Sequence, residues 1–168
     1  MKTAPIPANE ADRIEALRSL CLLDTPPEER FDSITKEALD YFKVPISTIS
    51  LIDTDREWFK SCIGLHDRVG RRSTSFCGHA LLNTGMYVIE DTKKNRDFAD
   101  NPHVIGEPYI RFYAGMGLRE WKSHLPVAVF CIKDTKPRKF SHKDLDVFMS
   151  LAYQAEIELN IKPPRDFS

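Results

Sequence analysis

The chain is expected to fold as an α+β domain around a central antiparallel sheet. Three observations predict this. Helical periodicity marks the two ends of the chain, while runs rich in β-branched residues fill the middle. The strand candidates are joined by turns and irregular loops rather than by regular crossover helices, which argues against a doubly wound parallel sheet. The 168 residues, 42% of them hydrophobic, suit one domain with a real core.

The elements follow in order. Ala11 to Leu23 reads as a helix, with Ile14, Leu17, Leu20 and Cys21 at helical spacing. Pro27 to Phe42 reads as a second. Thr25 is its expected N-cap, Pro26 suits the first helical position and Glu28 completes a capping box. Val44 to Asp53 is a strand, "DTDR" a turn, and Glu57 to Ile63 the returning strand of a hairpin. Gly64 to Ser75 reads as a polar, Arg-rich loop. A short helix is expected from Phe76 to Asn83, then a short strand from Tyr87 to Glu90. A long irregular connection leads to two more strands, Ile110 to Met116 and Val127 to Lys133. The basic stretch from Lys133 to Lys139 reads as a solvated loop. Ser141 caps the last helix, with Asp144 three residues on. A single domain from 11 to 160 is expected, with an N-terminal extension (1–10) and a C-terminal tail (161–168).

A formal net charge of -1 makes no long-range field, so nucleic acid is not an expected partner. The longest apolar run, Val127 to Ile132, falls far short of the roughly 20 residues of a membrane helix. The N-terminal stretch carries no hydrophobic signal-peptide core. The expectation is a cytoplasmic chain with no membrane partner. Its four cysteines, Cys21, Cys62, Cys77 and Cys131, form no C-x-x-C pair and read as free thiols.

The segment "SFCGHALL" concentrates reactive side chains. Cys77 and His79 lie two apart, so on a helix they point to nearly opposite sides and cannot grip one ion together. No second Cys/His cluster completes four ligands, and no metal site is expected. A thiol in the first turn of a helix capped by Ser75 gains thiolate stabilisation from unpaired amides. A small buried sulfur that only packs fits the same residues, as does an imidazole bonded to a backbone carbonyl at the core edge. No G-x-S-x-G or P-loop pattern is present.

Seven stretches, "LCLLDTPPEERFDSITKEAL", "VPISTISLID", "REWFKSCIGL", "TSFCGHALL", "DFADNPHV", "IRFYAGMGL" and "FCIKD", resemble a GAF domain in order and spacing. The likeness is to the bacterial type found in front of diguanylate cyclases, cyclic-di-GMP phosphodiesterases and sensor kinases. It spans about Ala11 to Leu159. The resemblance implies a PAS-like fold, with terminal helices on one sheet face and a small-molecule pocket on the other. The chain departs from the family pattern at "REWKSHLP", which lacks the usual glycine hairpin, and at Gly117 and Asp97.

This likeness implies a sensory or regulatory small-molecule-binding module without catalysis of its own. Its ligand is unidentified and no cofactor is assigned. A downstream output domain or protein is the expected partner. Ligand contacts are expected from Phe59, Phe76, Cys77, His79, Asn101, Arg111 and Tyr113, on loops that a sheet holds still. The alternatives are a thiol-dependent free methionine-R-sulfoxide reductase and a haem or bilin sensor. The apolar stripes of the terminal helices (Leu145, Phe148, Leu151, Ala152, Ala155 and Leu159; Ile14, Leu17 and Cys21) predict a homodimer through paired helices.

Overall fold

Strand β1 (Ile46–Ile52) is buried along its whole length, because both of its faces are covered. It lies near the middle of a six-stranded sheet with β2 (Arg56–Ile63), β3 (Val69–Arg71), β4 (Met86–Ile89), β5 (Phe112–Arg119) and β6 (Pro126–Asp134). The order is β3-β2-β1-β6-β5-β4, and every neighbouring pair is antiparallel. The α+β expectation therefore holds. The computed structural model describes residues 1–162; positions 163–168 of the expected tail lie outside the described residues.

One face of the sheet carries three helices, α1 (Glu10–Ser19), α2 (Glu29–Phe42) and α5, the long last one (His142–Asn160). Phe31, Ile34 and Phe42 of α2 and Phe148, Leu151, Ala155 and Leu159 of α5 meet Ile49, Leu51, Phe130 and Ile132 of the sheet. Full burial of side chains of this size supplies about 1.5–3 kcal/mol each. The other face is covered by the short helices α3 (Phe76–Ala80) and α4 (Pro102–Ile105) with their loops. A second apolar cluster, built on Phe76, Phe98, Tyr113, Val129 and Cys131, holds that layer down. Phe76 stacks on Phe98 with ring centroids 4.5 Å apart.

Several boundaries differ from the sequence reading, each for a physical reason. Helix α1 stops at Ser19, and Cys21 and Asp24 take left-handed backbone conformations, so Cys21 leaves the apolar stripe and is exposed. Helix α2 starts at Glu29, with Glu28 rather than Thr25 at its N-cap. Lys60 explains this. Its side chain is fully buried, and its ammonium draws on Thr25 Oγ1, the Pro26 carbonyl and the Glu28 carboxylate, each 2.7 Å away. Thr25 in turn donates to the Leu22 carbonyl, so neither expected capping side chain caps the helix. The polar 64–75 segment hides β3 and a 3₁₀ turn (Arg72–Thr74). Strand β5 runs on through Gly117 to Arg119. The glycine-free hairpin after it turns on Glu120, whose carboxylate accepts from the Lys122 and Ser123 amides, and on His124 at φ 62°. The capping box of Ser141 and Asp144 forms as expected.

A cavity over the sheet and its lining

The β1–β2 register shifts between Ile49 and Ser50, leaving Lys60 as an extra residue in β2. This bulge lets Lys60 and Ser61 both serve the helix face, where Ser61 bonds Thr35 and Asp32. Glu57 and Phe59, two apart on the strand before the bulge, share the opposite face. Lys133 joins them from β6, two residues beyond Cys131. A cavity of about 490 Å³ lies over these three side chains. Phe76 and Ser75 close one side, and the segments around Leu65–Arg71 and His103–Ile110 form the walls and rim. Gly64 is needed at the turn into that wall. Its φ is +92°, and a Cβ there would sit 2.1 Å from the Pro45 carbonyl oxygen.

The two charged floor residues are almost sealed from solvent: Glu57 is 4% exposed and Lys133 7%. Glu57 Oε1 has no hydrogen-bond partner among the described residues. The Lys133 ammonium stands 6.0 Å from the centre of the Phe76 ring. Burial alone would lower its pKa, but the Cys131 sulfur and the Glu57 carboxylate nearby raise it, so the ammonium stays charged. His103, at the wall, is pushed the other way by burial and by the Lys133 charge, which keeps its ring neutral near pH 7.

The residues expected at the site from sequence separate into two groups. Phe59 and Phe76 line the cavity. The other five lie behind or beside it. Cys77 and Tyr113 are completely buried, with the Tyr113 hydroxyl donating to Cys77 Sγ at 3.2 Å. Asn101 caps α4 through the His103 amide and donates from its side chain to the Thr74 carbonyl, bracing the wall. His79 faces the N-terminal segment, where its Nε2 lies 3.1 Å from the Lys2 carbonyl oxygen. Arg111 pairs with Asp91 at 3.1 Å. Sequence reasoning missed Glu57 and Lys133. Their signal was parity: each stands two residues from an aromatic or sulfur side chain on the same strand face, Glu57 from Phe59 and Lys133 from Cys131.

Beside the cavity, Cys77 and Cys131 are both fully buried in the apolar cluster of that sheet face. Burial drives the Cys77 thiol well above the ordinary range. For Cys131 burial acts upward too, but the neighbouring Cys77 thiol, the charge of Lys133 and the hydrogen bond with Thr48 outweigh it and bring it down. Among the described residues no three His, Cys, Asp or Glu side chains are placed to hold a metal ion.

Known proteins share this architecture. A model of the GAF domain matches residues 26–159. The cyclic di-GMP phosphodiesterase PA2567 of Pseudomonas aeruginosa is 40% identical over 138 residues, 82% of this chain. The match covers only 23% of that enzyme's length. Among solved structures, the GAF domain of an Acinetobacter phosphoenolpyruvate-protein phosphotransferase superposes with a TM-score of 0.65 at 17% identity, covering 91% of this chain and 93% of that one. The free methionine-R-sulfoxide reductase of Neisseria meningitidis, solved in complex with its substrate, gives 0.62 at 17% identity, with 95% and 96% covered. At such identities the structures speak for the fold alone. With the sheet order, the helix layer and the roofed opposite face all in place, the matched family model settles the point: this chain belongs to the GAF-domain family.

Proposed function

We propose that the chain is a sensory module whose cavity binds a small molecule and whose occupancy regulates an output domain or protein. The observation that carries this reading is the cavity itself. Its volume lies within the range of small-molecule sites, and Phe59 and Phe76 flank a buried carboxylate whose Oε1 has no hydrogen-bond partner among the described residues. Phe59 and Phe76 are the direct contacts; Cys77, Tyr113, Asn101, His79 and Arg111 support the walls around them. The relative from Pseudomonas adds weight, since the matched region is a quarter of a longer signalling enzyme. The module works in the cytoplasm and has no catalytic step of its own. It pairs with a second copy through its last helix, whose outward side exposes Met149 and Tyr153.

The test is native mass spectrometry of protein isolated from its own host, followed by amide chemical-shift mapping. A small molecule should co-purify and shift Phe59, Phe76 and Lys133. A ligand that shifts only the terminal-helix face would overturn the assignment. The second reading, a thiol-dependent reductase of free methionine-R-sulfoxide, draws on Cys77 and Cys131 sharing one buried cluster. Turnover with dithiothreitol, abolished in Cys77→Ser, would favour it over pure binding. Both sulfurs lie outside the cavity lining, which supports the binding module instead.

A further inference from the structure

The floor of the cavity holds two opposite charges that do not satisfy each other. Glu57 pairs in register with Ile52, and Lys133 with Ile46, so they enter from opposite ends of β1. Each is more than nine-tenths buried. The two feel each other's charge, yet Glu57 Oε1 finds no hydrogen bond among the described residues. A buried ion without a partner is costly, and in a low-dielectric cavity a matching charge is worth far more than on the surface. Between the two ends lies Phe59, opposite Ser50, and Phe76 stands over the Lys133 side. The pattern along the floor is carboxylate, aromatic surface, ammonium. His66, Asp67, Arg71 and Glu107 also border the cavity but are exposed at the rim, where water screens charge.

We propose that the cavity takes a small zwitterion, an amino acid or a molecule of that charge pattern, whose cationic group meets Glu57 and whose acidic group meets Lys133. A simple cation would leave Lys133 unmatched, and a simple anion would leave Glu57 so. A neutral apolar molecule would strand both. A zwitterion satisfies both ends with charge-assisted hydrogen bonds and adds no net charge to the site. Its carbon skeleton lies against Phe59 and Phe76.

This inference rests on the reading of the cavity as a ligand site, and the experiment separates the two. Leucine, lysine and 5-aminopentanoate are titrated against pentylamine and pentanoate by calorimetry and by chemical-shift mapping. At least one zwitterion should bind tenfold or more tightly than either singly charged probe, with shifts at Phe59 and Phe76. Glu57→Gln should weaken the zwitterion and pentylamine at least tenfold and spare pentanoate; Lys133→Met should do the converse. The comparison on the unmodified protein needs no variant, so a misfolded Glu57→Gln does not blunt it. Zwitterions that bind no better than the singly charged probes overturn the proposal. If a neutral molecule from a fragment set occupies the cavity instead, the charge pattern is wrong but the ligand site stands. If nothing shifts Phe59 or Phe76, both readings fall.

Discussion

The four thiols occupy three kinds of environment, and their chemistry should rank accordingly. Cys21 is exposed just beyond α1, Cys62 is half-buried, and Cys77 and Cys131 are fully buried beside the cavity. Burial raises the pKa of Cys62 and, far more, that of Cys77, and the thiolate is the reacting form. N-ethylmaleimide followed by peptide mass mapping at pH 7.5 should label Cys21 first, Cys62 more slowly, and the other two only after urea unfolds the chain. Labelling of Cys77 at the rate of Cys21 would mean that the cluster around it opens in solution. At this scale the sequence was half legible. Phe59 and Phe76 could be picked out because aromatics beside loops are natural pocket walls. Glu57 and Lys133 could not, because a charged side chain near a strand end reads as solvated. Only the folding-over of the 64–71 and 103–110 segments buries them. Cys77 was legible as a pocket-side residue, but which layer it occupies depends on Tyr113, thirty-six positions away.

Among the elements, α1 is held by charge as well as by its apolar side. Arg13 is fully buried, and Glu10 bridges it to Arg72, next to the β1–β2 turn. Partial burial would raise the Glu10 pKa, but hydrogen bonds and charge from Arg13 and Arg72 hold it down at about 2. A depressed carboxyl stabilises the fold fully above its unfolded value near 4.5, and that contribution is lost as pH falls toward 2. Glu10→Gln should therefore cost about 2 kcal/mol at pH 7, after discounting for screening by solvent, and should flatten the acid limb of stability between pH 4.5 and 2. Urea unfolding across that range measures both; an unchanged limb would show that α1 is held by packing alone. Gly64 makes a second test. Gly64→Ala places a Cβ against the Pro45 carbonyl at a positive φ, and should lower stability by about 2–4 kcal/mol in the same assay. Element types were legible from periodicity, and strands β1, β2 and β6 emerge close to where β-branched runs put them. The start of α2 was not, because a local cap lost its side chains to Lys60, a partner on another element. Strand β3 was not legible either: Val-Gly-Arg has no alternation, and pairing with β2 alone makes it a strand.

For the whole molecule, the open question is what the last helix does once the sheet has been covered. Of the stripe read from sequence as a seam for a second copy, Phe148, Leu151, Ala152, Ala155 and Leu159 are buried inside the chain's own core and Leu145 is half-buried. What remains outward is a different strip. Met149 is 47% exposed and Tyr153 63%, and they border a groove of about 360 Å³ that reaches down to Met116 and Leu118. Trp121, 43% exposed, projects from the β5–β6 hairpin and donates its indole N–H to Glu156 of the same helix. If this strip pairs two copies about a two-fold axis, as proposed, each Tyr153 fills the partner's groove. Both side chains are largely exposed, so Met149→Glu with Tyr153→Arg should leave the fold intact and shift the mass in sedimentation equilibrium from a dimer to the 19.3 kDa chain. Leu151→Glu should instead unfold the domain, since it places a charge where the side chain is 2% exposed. Circular dichroism separates the two cases. A single species at the chain mass for the unmodified protein at micromolar concentration would end the dimer proposal. It would leave the cavity, on the opposite face of the sheet, untouched.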